Sequence, residues 1–164
     1  MEKKLENSVY VTMMADSLKR KEKILTFIYE KTREQETLLK DEELDVDAFQ
    51  KLVDEKGERI DELNELDEGF DALFQMVEKE IVANRGNYAE EIQDMQKTIA
   101  SVSELGVKIQ ALEHQNSGHL KIYLSKKRKQ IRDFHVNNKT AANYYSNMSN
   151  THKPEQSYFF NEKK

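Results

Sequence analysis

A seam of apolar residues stepping alternately by three and four runs through the middle of this 164-residue chain and leaves it few folds to choose from. Its members are Val46, Phe49, Val53, Lys56, Ile60, Leu63, Asp67, Phe70, Phe74, Val77 and Ile81, and only Lys56 and Asp67 are charged. An α-helix turns once in about 3.6 residues, so this spacing puts every member on one face, as in a coiled coil. Leu52, Leu66 and Leu73 flank the seam and widen it, which predicts two neighbouring helices instead of one. Asp45 or Asp47 can accept from the first free backbone N–H groups, so a helix is expected over 46–83.

The same spacing occurs earlier. Val11, Met14, Leu18, Lys21, Leu25, Ile28, Thr32, Gln35 and Leu39 predict a helix over about 5–40, with Leu5, Met13 and Ile24 beside the seam. The acidic stretch from Asp41 to Asp45 that follows is short. Connections of that length fold the next helix back antiparallel to the last.

A second break falls at Asn84-Arg85-Gly86-Asn87. Gly86 can take the left-handed conformation that ends helices, and Asn87 with Glu90 has the spacing of a capping box. The third helix is expected over 88–136, carrying Tyr88, Ile92, Met95, Ile99, Val102, Ile109 and Leu112 inward. It crosses a polar dip, His114-Gln115-Asn116-Ser117-Gly118, where Gly118 costs roughly 1 kcal/mol relative to alanine. No proline interrupts it and strong helix formers flank the dip, so a continuous helix of roughly 70 Å, the longest of the three, is expected.

Such a helix would outrun its neighbours and leave apolar surface at its far end. Leu120, Ile122, Tyr123, Leu124, Ile131 and Phe134 make up that face, and partner binding is expected there. The competing reading is that the same face completes the three-helix core. Beyond residue 137 the chain turns polar and Pro154 forbids helix continuation, so 138–164 reads as a flexible tail. Tyr144, Tyr145, Tyr158, Phe159 and Phe160 in that tail have no core of their own to join, which suggests a peptide-like docking segment. The expected architecture is therefore all-α: an antiparallel bundle of three long helices within 1–137, followed by the tail.

Composition agrees. Charged residues make up 35% and the chain has five glycines and one proline, a mixture suited to long helices and not to closely spaced β-turns. With no cysteine, disulfides, thiolate metal sites and cysteine nucleophiles are excluded. No apolar window approaches the ~20 residues of a membrane span, nor is one near Met1 long enough for a signal peptide, so a soluble cytoplasmic protein is expected. The charge is uneven: 19 acidic against 7 basic side chains from Glu30 to Glu80, then 10 basic against 3 acidic from His119 onward. These sets suit solvated helix faces that attract one another on folding.

An enzyme is not expected. His114 and His119 are five apart, off the three- or four-residue spacing of helical metal ligands, and no phosphate loop or nucleophile elbow is present. Neither a metal nor a cofactor is implied. The basic run Lys126-Lys127-Arg128-Lys129 with Arg132 could meet phosphate, but the acidic middle helix opposes a polyanion, so no nucleic-acid partner is expected.

Three stretches resemble the FlgN-type flagellar export chaperones, particularly those of Gram-positive bacteria. Leu52-Val53-Asp54-Glu55-Lys56-Gly57-Glu58-Arg59-Ile60-Asp61-Glu62-Leu63 is similar to the family's Leu-x3-Lys-x3-Ile/Leu pattern. Leu112-Glu113-His114-Gln115-Asn116 resembles the polar dip of its third helix, with Gly118 a departure. Ser157-Tyr158-Phe159-Phe160-Asn161-Glu162-Lys163-Lys164 is similar to an aromatic-plus-lysine terminus. The resemblance implies a cytoplasmic chaperone that binds the C-terminal helix of FlgK/FlgL-like hook–filament junction proteins and passes them to the export gate protein FlhA. It also implies a gate-contacting tyrosine, for which Tyr123 is the candidate, with Tyr144 and Tyr145 behind it. Alternatives are a FliT-like chaperone for another flagellar client, or a non-catalytic coiled-coil adaptor that forms a homodimer through the 46–81 seam.

Overall fold

The computed structural model describes residues 2–127 and 139–150 and is helical almost throughout. Three helices of 38 residues each, α1 (Glu2–Leu39), α2 (Val46–Ala83) and α3 (Ala89–Lys126), form an antiparallel bundle. A short fourth, α4 (Ala141–Asn150), lies on α3 and touches α2. α1 packs along both α2 and α3 and is the common wall of the bundle.

The seams predict burial closely. Val11, Met14, Leu18, Leu25 and Ile28 of α1 face Phe70, Phe74, Val77 and Ile81 of α2 and Ile92, Met95, Ile99, Val102 and Ile109 of α3, all buried. Burial of each such side chain stabilises the fold by about 1.5–3 kcal/mol. Asp45 caps α2, its carboxylate accepting from the Ala48 N–H at 3.0 Å. Because α1 already occupies the 46–81 seam, a homodimer through that seam would have to open the bundle.

The α2–α3 corner differs from the expectation. No described glycine has a positive φ, and Asn87 does not cap α3. The chain instead tightens into a 3-10 turn over Arg85–Tyr88, with the Asn87 N–H donating to the Asn84 carbonyl at 2.9 Å. Tyr88 is buried and its hydroxyl donates to Glu80 at 3.4 Å, so the corner is held by packing where the sequence suggested a cap.

α3 passes through 114–118 without a break, as the absence of proline predicted, and then stops ten residues before the expected 136. Lys127 leaves helical geometry at φ −114° and ψ 25°, its N–H closing the last turn on the Tyr123 carbonyl. α3 is thus no longer than α1 or α2. The stretch read as the start of a flexible tail contains α4, begun by Thr140, whose hydroxyl accepts from the Asn143 N–H at 3.1 Å. The rest of that stretch, from 151, lies outside the described residues.

Two polar layers divide the core. Lys21 and Asp67, both almost wholly buried, pair at 2.8 Å between the cluster containing Phe70 and Phe74 and the cluster containing Ile60 and Leu63. Further along, Lys56 donates to Glu113, Gln35 and Thr32, and Asn116 donates to the Thr32 carbonyl at 3.0 Å. Burial pushes the Lys56 ammonium below the usual lysine range, against the opposing pull of Glu113. A buried ion pair adds little net stability over an apolar pair, but an unpaired one costs several kcal/mol. Sliding α2 by one heptad would set Lys21 against Ile60 or Phe74 and strand its charge. The layers therefore set the register.

Candidate helix-binding site

The most elaborate side-chain site on the bundle is the seat of α4. At ten residues α4 is shorter than the ~12–15 an isolated helix needs in water, so its stability must come from what it packs on. Ala141, Tyr144, Tyr145 and Met148 recur at three- and four-residue steps and make one face of it. Ala141, Tyr144 and Tyr145 are buried in the cluster with Ile28, Leu63, Val102 and Ile109, and Met148 packs at its edge.

Polar contacts fix its position. The Tyr144 hydroxyl donates to Asp67 Oδ2, while Lys21 Nζ holds Asp67 Oδ1, reaches Met148 Sδ at 3.0 Å and lies 5.8 Å from the Tyr144 ring centre. Burial, and then the Asp67 carboxylate, push the Tyr144 phenol well above its ordinary value, so it is a firm donor. The Tyr145 hydroxyl donates to the Ser103 carbonyl at 2.9 Å, and burial raises its pKa as well. Its ring covers Gly106, where an added Cβ would fall inside the ring. At the entry to α4, Lys139 reaches Asp61 at 2.8 Å.

Gly106 and the Lys21–Asp67 pair are the residues of this seat that sequence reasoning did not single out as functional. A signal was present for α4 itself. The spacing of Ala141, Tyr144, Tyr145 and Met148 after a capping threonine is that of an amphipathic helix, hidden by the asparagines and serines between.

The structure divides the remaining expected binding residues. Leu120 is buried, and Tyr123 and Leu124 are half-buried with Leu38, Leu39, Leu44 and Phe49 at the end of the bundle. The Tyr123 hydroxyl accepts from the Leu44 N–H at 3.2 Å and ties α3 to the α1–α2 connection. Beside it Lys127 pairs with Glu43 at 2.9 Å, which raises the lysine's pKa. Among the described residues of this face, Ile122 points outward, 56% exposed. Thus the described part of the late face largely completes the core, because the acidic connection and the start of α2 fold over it. Ile131, Phe134, Tyr158, Phe159 and Phe160 lie outside the described residues.

No three His, Asp or Glu side chains among the described residues gather where they could hold a metal ion. Among those residues, no helix is long and apolar enough to cross a membrane. Fold and site together define a class: an antiparallel three-helix bundle that holds a short amphipathic helix on its flank. Beyond that class, the chain matches no protein-family model, no curated protein and no solved structure.

Proposed function

We propose that this chain is a cytoplasmic flagellar export chaperone, which captures the amphipathic C-terminal helix of FlgK/FlgL-like hook–filament junction proteins and delivers them to FlhA. The observation that carries this reading is the seating of α4. A helix too short to stand alone is held there by two buried tyrosines, a buried carboxylate and a glycine that admits a ring. Capture of a client helix requires the same chemistry: an apolar stripe to bury and a few polar groups to fix register. The resemblance of the 52–63, 112–116 and 157–164 stretches to FlgN-type chaperones supplies the client class.

Calorimetric titration with a FlgK-like C-terminal peptide tests the reading. Full-length protein is expected to bind, whereas Ile122→Lys, on the open part of the late face, and Gly106→Leu, which fills the seat of α4, lose most of the affinity. Equal binding by all three overturns it. A FliT-type client peptide that binds more tightly than the FlgK-like one would reassign the client.

A further inference from the structure

The cleft between α1 and α2 changes character halfway along the bundle. Toward the α1–α2 connection it is bridged by charge, beside an open stretch lined by Lys31, Thr37, Leu52 and Glu55. Lys31 reaches Glu55 at 3.6 Å, Arg59 and Arg20 reach Glu62 at 2.9 and 2.6 Å, and Phe27 lies beneath the Lys31 and Arg59 cations at 5.2 and 5.3 Å. One heptad beyond Arg20 and Glu62, the corresponding positions hold Met13 and Gly69, and the ladder stops. The apolar part of the cleft there is lined by Met13, Leu66, Gly69 and Leu73 with Ser17, and the Arg20–Glu62 pair stands at its edge with Asp16 and Glu65. Met76, about one turn past Leu73 on α2, is 60% exposed, and Met13 is 48% exposed. Nothing lies within 4 Å of the place a Cβ on Gly69 would take.

An open notch flanked by flexible methionines suits a large apolar side chain from outside. On the rim, Asp16 and Glu65 are exposed. Arg20, in the same cleft, is taken up by Glu62 at 2.6 Å.

We propose that this half of the α1–α2 cleft is a docking surface for an amphipathic helix carrying lysine or arginine beside its apolar stripe. The partner's largest apolar side chain sits over Gly69 between Met13 and Leu73. Its cations meet Asp16 and Glu65, which extends between molecules the ladder that Arg20 and Glu62 end within one. Lys21, Asp67, Ser103 and Gly106, which hold α4, do not line this cleft, so the surface is separate from the α4 seat and independent of the export reading.

Amide chemical-shift mapping on the full chain tests it, with an 18-residue helical leucine–lysine peptide as probe and its leucine–glutamate counterpart as control. Shifts are expected at Met13, Gly69 and Met76, with the lysine peptide binding at least tenfold more tightly. Gly69→Trp, which grows into open space, is expected to weaken binding tenfold or more while leaving the helical circular dichroism intact. Asp16→Lys with Glu65→Lys is expected to reverse the peptide preference. Shifts confined to α3 and α4, unchanged affinity in both variants, or self-association through these residues without peptide would each overturn the proposal. The last would assign the cleft to a second copy of the chain.

Discussion

Gly106 of α3 and Tyr145 of α4 are a matched pair: the tyrosine ring fills the space where any other residue at 106 would carry its Cβ. Gly106→Ala is therefore expected to lift α4 while improving the helix propensity of α3. Overpacking of this kind costs about 1–3 kcal/mol. Amide hydrogen exchange should show protection lost across 141–150 and kept in α1 to α3. Unchanged protection of α4 would show that the contact does not hold it.

Tyr144→Phe removes the hydroxyl that caps the buried Lys21–Asp67 pair and keeps the ring. Hydrogen bonds to charged groups contribute about 1.5–3 kcal/mol. The docking of α4 should weaken by that order, read from the same exchange experiment, with Lys21 and Asp67 still paired. A variant as well protected as the parent would place the stabilisation in the ring alone.

The same phenol predicts an alkaline response. Its folded pKa is raised above the ordinary 10.0. Below pH 10 folded and unfolded chains both keep this proton, so its contribution is fully present. Above pH 10 the unfolded chain releases the proton and the folded chain does not, so stability falls as pH rises. Absorbance titration should reveal tyrosines that ionise late, as the structure opens, and Tyr144→Phe should reduce the amplitude of that step and leave the part due to Tyr145 and Tyr88.

Lys56 and Glu113 are expected to be strongly coupled. Glu113→Leu leaves the Lys56 ammonium buried with only Gln35 and Thr32, and should destabilise by about 3–5 kcal/mol. Adding Lys56→Met to that variant should recover most of the loss, because no buried charge then remains. Urea unfolding of the four proteins gives the coupling energy directly, and additive effects would mean that the pair is not buried as described.

Gly118→Ala should stabilise α3 by about 0.5–1 kcal/mol, since the position is helical, exposed and open to a Cβ. A thermal melt that does not rise would imply that α3 is frayed at this point.

Much of the bundle was legible in residue spacing. The seams of α1 and α2 named their buried residues down to the anomalies, because Lys21, Thr32, Gln35, Lys56 and Asp67 sit on seam positions and are all buried. The α3 seam was harder to follow. Glu113 and Asn116 look like part of a polar dip, yet they carry the seam from Ile109 to Leu120, with Asn116 buried and Glu113 on Lys56. Periodicity gives a residue's direction from the helix axis, and only a partner on another helix decides whether a polar side chain can stay inside.

The candidate site was less legible for the same reason. Tyr144 and Tyr145 stood out as aromatics in a polar stretch, but the spacing of a segment cannot reveal a carboxylate 77 positions away or a glycine on another helix. Leu120, Tyr123 and Leu124 were recognisably apolar. Their enclosure depends on how Leu44 and Phe49 fold across them.

By itself the sequence determined three long antiparallel helices and the faces they bury, because helical periodicity and short connections are local properties of the chain. The tertiary structure alone decided where α3 stops, that α4 forms, and which apolar faces stay open. Those outcomes depend on side chains distant in sequence meeting in space, and no local pattern encodes that meeting.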